Sequence, residues 1–130
     1  MIKVVAAIIH KDNKIMIAKR KENKSMGGFW EFPGGKIDPG ETPEESLVRE
    51  LKEEMDISIK VEKYVGESIY DYGDIVICLL GYLASIENGD IILNDHDEYE
   101  WVTLENICKF KLAPADIPLV RMLQEGDYGI

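Results

Sequence analysis

Three glutamates, Glu50, Glu53 and Glu54, lie among apolar residues (Leu47, Val48, Leu51, Met55) that recur at helical spacing. At about 100° per residue, Glu53 falls about 60° to one side of Glu50 and Glu54 about 40° to the other. The apolar stripe runs beside them, so the carboxylates border the buried face. Like charges four residues apart weaken a helix by a few tenths of a kcal/mol, and a divalent cation reverses that cost. Mg²⁺ takes hard oxygen ligands, keeps several waters, and is typically shared between one or two carboxylates and substrate phosphates. Helix composition alone favours a solvated acidic face, with Glu45–Arg49 and Arg49–Glu53 as ordinary ion pairs. What precedes the helix favours the metal: Gly34-Gly35 ends an aromatic stretch, and Glu41 stands at the helix entrance. Glycines there let the backbone approach a metal or phosphate closely.

Gly35, Glu41 and Arg49-Glu50-Leu51-Lys52-Glu53-Glu54-Met55-Asp56-Ile57 stand at fixed spacing over residues 35–57. This resembles the Nudix box of the Nudix hydrolases, with eight of nine defined positions satisfied. The departure is Asp56, where the family has Gly; Gly would end the helix in a left-handed turn, which Asp tolerates better than most residues. The resemblance implies an α/β Nudix fold, an α/β/α sandwich with a mixed central sheet, in one domain over residues 1–130. It implies that Glu50, Glu53 and Glu54 bind divalent cations with the Gly35 carbonyl, that Arg49 holds the glutamates, and that Glu41 supports the loop or a metal-bound water. One glutamate not saturated by metal, Glu53 first among Glu53, Glu50 and Glu54, is the expected acceptor of the attacking water's proton. The cofactor implied is Mg²⁺, with Mn²⁺ as an alternative.

Beyond the box, residues 4–9, Ala18-Lys19-Arg20 and residues 29–36 look like the MutT-type members, which split nucleoside triphosphates into monophosphate and pyrophosphate. Residues 95–101 resemble that branch's second acidic segment. Asp95 holds its leading position, one methylene shorter than the family's Glu, with Glu98 in support. Residues 112–119 look like the corresponding segment of the CTP pyrophosphohydrolase branch. There Asp116 would read the base; ionised, it offers acceptors to an exocyclic amine such as that of cytosine. Arg20 and Lys36 are expected on phosphates, and Phe32 and Tyr72 are candidates to stack on a base. The expected reaction is therefore hydrolysis of a cytidine-type triphosphate (CTP, dCTP or 5-methyl-dCTP), with 8-oxo-dGTP as the alternative substrate. A non-catalytic nucleotide sensor is the rival of another class, and the intact glutamate set speaks against it.

The elements that must position these residues are legible from pattern. Residues 2–9 and 15–18 read as strands joined by a polar turn, and residues 29–32 as a short aromatic strand. Thr42, Pro43 and Glu45 form a capping box that opens the acidic helix, which stops near Asp56. Residues 57–65, 67–72, 74–85 and 100–103 read as strands. Residues 116–125 read as a second helix with Asp116 as N-cap.

Composition limits the function classes. The chain has 130 residues, 45% hydrophobic and 31% charged, which suits one globular domain. A net charge of −10 argues against a nucleic-acid polymer as partner. Residues 1–36 nevertheless hold eight basic against three acidic residues, and the remainder seven against twenty-two. A basic segment facing an acidic one suits an anionic substrate held through a dication. The longest apolar runs, residues 4–9 and 75–80, are too short for a membrane span, and the start has no small-residue cleavage site. Two cysteines lack metal-ligand spacing. The expectation is a cytoplasmic protein with no membrane partner, monomeric or homodimeric.

Overall fold

The computed structural model describes residues 1–130. β1 (Ile2–Lys11) and β2 (Lys14–Arg20) form the expected hairpin. Asp12 and Asn13 between them both take left-handed backbone, with φ of 52° and 64°, the geometry that lets a two-residue turn follow the strands' twist. β3 (Trp30–Glu31) and β7 (His96–Val102) pair with β2, and β4 (Gly34–Lys36) pairs with β1, all antiparallel. β6 (Val76–Asn88) runs parallel to β1 and carries the antiparallel β5 (Ser58–Asp71) at the sheet's edge. The sheet is mixed, as expected.

Alternation along β1 divides the core into two layers. Val5, Ala7 and Ile9 pack with Met16 and Ala18 beneath Leu47, Leu51 and Met55 of α1 (Pro43–Met55). Ala6 and Ile8 pack with Leu79 and Leu83 beneath Leu119, Val120 and Leu123 of α2 (Ile117–Glu125). The result is the α/β/α sandwich. Each fully buried aliphatic side chain contributes about 1.5–3 kcal/mol. Three of them on α1 therefore outweigh the few tenths of a kcal/mol lost to its crowded glutamates. No helix is long and apolar enough to cross a membrane.

Several elements differ from the expectation, each for a physical reason. Val48 lies at the margin of the apolar stripe and is 41% exposed, not buried. Residues 57–65 and 67–72 belong to one strand, because bulges near Ser58, Lys63 and Gly66 absorb the irregularity. Gly66 lies against α2: a Cβ there would come within 2.5 Å of the Met122 sulfur, so a side chain at this position would oblige Met122 to shift. Gly34–Lys36 pairs as a strand, and β7 starts four residues earlier than residue 100. A 3₁₀ turn, Ile107–Lys109, was not expected.

The ends of α1 follow the local chemistry. Thr42 accepts from the Glu45 N–H at 3.1 Å and Glu45 accepts from the Thr42 N–H at 2.9 Å, a complete capping box. Asp56 closes the helix in the left-handed region, φ 56° and ψ 33°, donating its N–H to the Lys52 carbonyl. Because that conformation strains any side chain, Asp56→Gly should stabilise the protein by about 0.5–1 kcal/mol, and Asp56→Val should destabilise it by about 1–2 kcal/mol. Urea unfolding of both variants checks the sign and order.

Candidate active site

α1 presents its three glutamates at graded depths. Glu54 is 7% exposed. The Glu50 side chain is 16% exposed and that of Glu53 61%. The helical arc thus carries one buried, one half-buried and one solvated carboxylate.

Arg49 is the resident counter-charge. Its guanidinium donates to both Glu41 oxygens at 2.8 and 3.0 Å, to Glu50 at 3.0 Å and to Glu53 at 3.2 Å. Nη2 also reaches the Lys36 carbonyl at 3.2 Å and the Asp38 carboxylate at 3.4 Å. Fork geometry and several acceptors make this a charge-assisted network, stronger than isolated surface pairs. Arg49, together with the Asp38 N–H, holds the Glu41 carboxyl down to about 2, so Glu41 is ionised at neutral pH. The acids in turn hold the Arg49 proton more firmly than in a free guanidinium.

Glu54 has no such partner. Its Oε2 is buried without a hydrogen bond. Burial first, then the charges of Glu50, Glu31 and Asp95, push its carboxyl up to about 10. Glu54, Asp95 and His96 each place a ligand-type atom within 4.8 Å of the others. An orphaned carboxylate oxygen among further acids is what a divalent cation relieves, and the oxygen donors suit a hard ion. The residues present fit a divalent cation.

Glycine makes room for this cluster. A Cβ on Gly35 would lie 2.5 Å from the Glu50 carboxylate. A Cβ on Gly34 would lie 1.8 Å from the Val5 carbonyl, inside the β1–β4 pairing. The two glycines therefore serve different ends, Gly34 the sheet and Gly35 the carboxylate.

The remaining candidates lie on or beside β2, β3, β4, β5, β7 and the start of α2. Asp95 precedes β7 and pairs with Lys24, while Glu98, in β7, pairs with Lys19 at 3.5 Å. Arg20 donates from Nε to the Ser25 carbonyl at 2.7 Å and from Nη1 to Glu31 at 3.1 Å. The Lys36 side chain is exposed at the start of the loop to α1. The Phe32 ring is 4% exposed in the α2-side core, so the structure presents no open Phe32 face for stacking. Tyr72 is partly buried; its hydroxyl accepts from the Ala115 N–H at 3.2 Å and its ring meets Tyr70. Asp116 is not a side-chain cap: its backbone is helical and its carboxylate accepts from the Phe32 N–H at 2.8 Å. A backbone donor across the sheet edge has displaced the local cap. Burial, reinforced by Glu31, raises the Asp116 carboxyl well above the ordinary carboxylate range.

Two residues without a sequence expectation join the site. Glu31 accepts from Arg20 and lies 3.0 Å from His96 Nε2. The only charged residue between Trp30 and Phe32, it could have been picked out by its isolation in an aromatic strand. His96 had no such signal, because strand register decides where it points.

Gly35→Ala should leave the fold intact, because the end of the Glu50 side chain can move, yet lower Mn²⁺ affinity by about tenfold or more. Gly34→Ala meets backbone and should cost about 3 kcal/mol. Ion titration and thermal unfolding separate the two effects.

The NUDIX domain pattern matches residues 1–123. The chain is 39% identical over 120 residues to the CTP pyrophosphohydrolase of Escherichia coli K12, covering 92% of this chain and 89% of that one. It is 32% identical to the 8-oxo-dGTP diphosphatase of the same organism, covering 92% and 93%. The crystal structure of a MutT protein from Methanosarcina mazei superposes with a TM-score of 0.85 at 27% identity, covering 95% of this chain and 94% of that one. With its box-bearing helix, its mixed sheet and these relatives, the chain belongs to the Nudix family and is a Nudix hydrolase of the pyrophosphohydrolase kind.

Proposed function

We propose that the protein is a Mg²⁺-dependent nucleoside triphosphate pyrophosphohydrolase that converts a cytidine-type triphosphate and water to the monophosphate and pyrophosphate. The observation that carries the metal dependence is the buried, partnerless Oε2 of Glu54 beside Glu50 and Asp95. Glu50 and Glu54, with the Gly35 carbonyl and Asp95, would hold the ion. When bound, it neutralises phosphoryl oxygens and lowers the pKa of a coordinated water.

The chain's own groups then divide the work. Arg49 keeps Glu50 and Glu53 oriented through direct hydrogen bonds. Glu53, the most exposed of the three, is free to accept the attacking water's proton. Lys36 meets the polyphosphate with an exposed ammonium, and Arg20 with Nη2, which makes no hydrogen bond within the protein. Glu41 fixes Arg49, and Glu98 holds Lys19 at the rim. Asp116 meets the base end of the substrate, one oxygen tied to the Phe32 N–H; burial favours its protonated form, so the other oxygen donates to a base acceptor when protonated and accepts from an exocyclic amine once ionised. Tyr72 borders the same end through its bond to the Ala115 N–H. The relative named as a CTP pyrophosphohydrolase supports the cytidine reading, and the one named as an 8-oxo-dGTP diphosphatase supports an oxidised guanine nucleotide as the second reading. Action on free nucleotides fits a single-domain cytoplasmic monomer or homodimer with neither membrane nor nucleic-acid partner.

Monophosphate and pyrophosphate release from CTP, dCTP, 5-methyl-dCTP and 8-oxo-dGTP, with and without Mg²⁺, tests this reading. The cytidine nucleotides should give the highest kcat/KM, and activity should vanish without a divalent ion; a preference for 8-oxo-dGTP selects the second reading. Glu53→Gln should lower kcat by about 10²–10⁴-fold with KM little changed, and Glu54→Gln should also lower it by orders of magnitude. Asp116→Ala should change the ratio of kcat/KM between cytosine and guanine nucleotides by about tenfold or more; an unchanged ratio removes Asp116 as the base reader.

A further inference from the structure

The acidic stretch 95–101 draws attention to its carboxylates, but the side chain it delivers deepest is His96, with no exposed side-chain surface. Directly opposed residues on antiparallel strands share a face. Trp101 and Tyr99 oppose Met16 and Ala18 and therefore face α1. Unbroken alternation would turn His96 to the other face. Between Lys19 and Arg20 the register slips, leaving Asp97 as the extra residue, and His96 comes to oppose Arg20 on the α1 side. A bulge beside a site commonly re-aims one side chain in this way.

What His96 meets there is specific. Its Nε2 lies 3.0 Å from Glu31 Oε2 and 4.0 Å from Glu54 Oε1. Glu31 is held from its other side by Arg20 Nη1, at 3.1 and 3.4 Å. The two carboxylates, which repel each other, thus both approach the same imidazole nitrogen. Nδ1 of His96 and Oε2 of Glu54 are both buried with no hydrogen-bond partner. Two orphaned polar atoms at one place weaken a fold, and an aliphatic residue of similar size would serve the core better.

We propose that His96 is a positioning residue that fixes the Glu54 carboxylate for the cation by donating from Nε2 to Glu31 while the same nitrogen stands against Glu54 Oε1. The inference rests on the reading of Glu54 as a cation ligand. It assigns His96 no contact with substrate, and the bulge becomes the device that brings β7 and β3 to bear on α1.

Mn²⁺ binding to the nucleotide-free protein, followed by electron paramagnetic resonance, is measured alongside Tm, kcat and KM for His96→Leu, His96→Gln, Glu54→Gln and the Leu/Gln double variant. His96→Leu should keep or raise Tm while lowering Mn²⁺ affinity and kcat by about 10–100-fold, with KM moving less than about threefold. His96→Gln, whose amide can donate from a similar place, should recover most of the loss. On the Glu54→Gln background His96→Leu should add nothing, because the two act as a unit. Full Mn²⁺ affinity and kcat in His96→Leu, an undiminished extra loss in the double variant, or a Tm drop matching the activity loss without rescue by Gln would each overturn the inference. If Glu54→Gln itself leaves Mn²⁺ binding intact, it is the reading of Glu54 as a ligand that fails.

Discussion

The structure is organised around a crowding of like charge that a helix face cannot relieve by itself. Glu50, Glu53 and Glu54 share a narrow arc of α1, and the packing of Leu47, Leu51 and Met55 against the sheet presses that arc toward the interior. A free acidic helix would rotate its carboxylates into water. Here rotation would uncover three aliphatic side chains, at a cost of several kcal/mol, so the helix keeps its orientation and the charges must be answered in place. Arg49 answers the solvent side, with Glu41 and Asp38 completing its shell. The inner side, at Glu54, is left with a proton or a cation as its only means of balance.

The surrounding elements are shaped by this one demand. β4 needs bare backbone at Gly34 to pair with β1 and at Gly35 to admit the Glu50 carboxylate, so two adjacent glycines answer a sheet constraint and a site constraint in succession. Strand β7 bends at its register slip and turns a histidine inward. Glu31, on the two-residue strand β3, is caught between that histidine and Arg20, which in turn anchors the basic loop through the Ser25 carbonyl. From Arg20 to Glu54 the polar contacts join β2, β3, β7 and α1.

Burial also grades the carboxylates chemically. Glu53 is solvated and paired on one side with Arg49, whereas the buried Glu54 is ionised in its surroundings only against a positive charge. Asp116, ahead of α2, is buried and tied to a backbone N–H instead of capping that helix. Three acids of nearly identical intrinsic chemistry thus acquire three different dispositions from depth and neighbours alone.

The sequence by itself determined whatever depends on short-range order. The capping box at Thr42 and Glu45, the length of α1, its stripe of Leu47, Leu51 and Met55, and the left-handed stop at Asp56 all follow from residues within one or two turns of each other. The hairpin at Asp12-Asn13 is equally local. The box spacing named the family, and the comparison with relatives bears it out. Only the tertiary structure decided which side of a strand a residue faces and what waits there. The slip that turns His96 inward, the pairing of Arg20 with Glu31, the burial of Phe32, the exposure of Val48 and the diversion of Asp116 to a partner 84 positions away each depend on pairing between distant segments. In a strand one residue of register reverses every side chain, and nothing in the local pattern of residues 95–101 records where that slip falls.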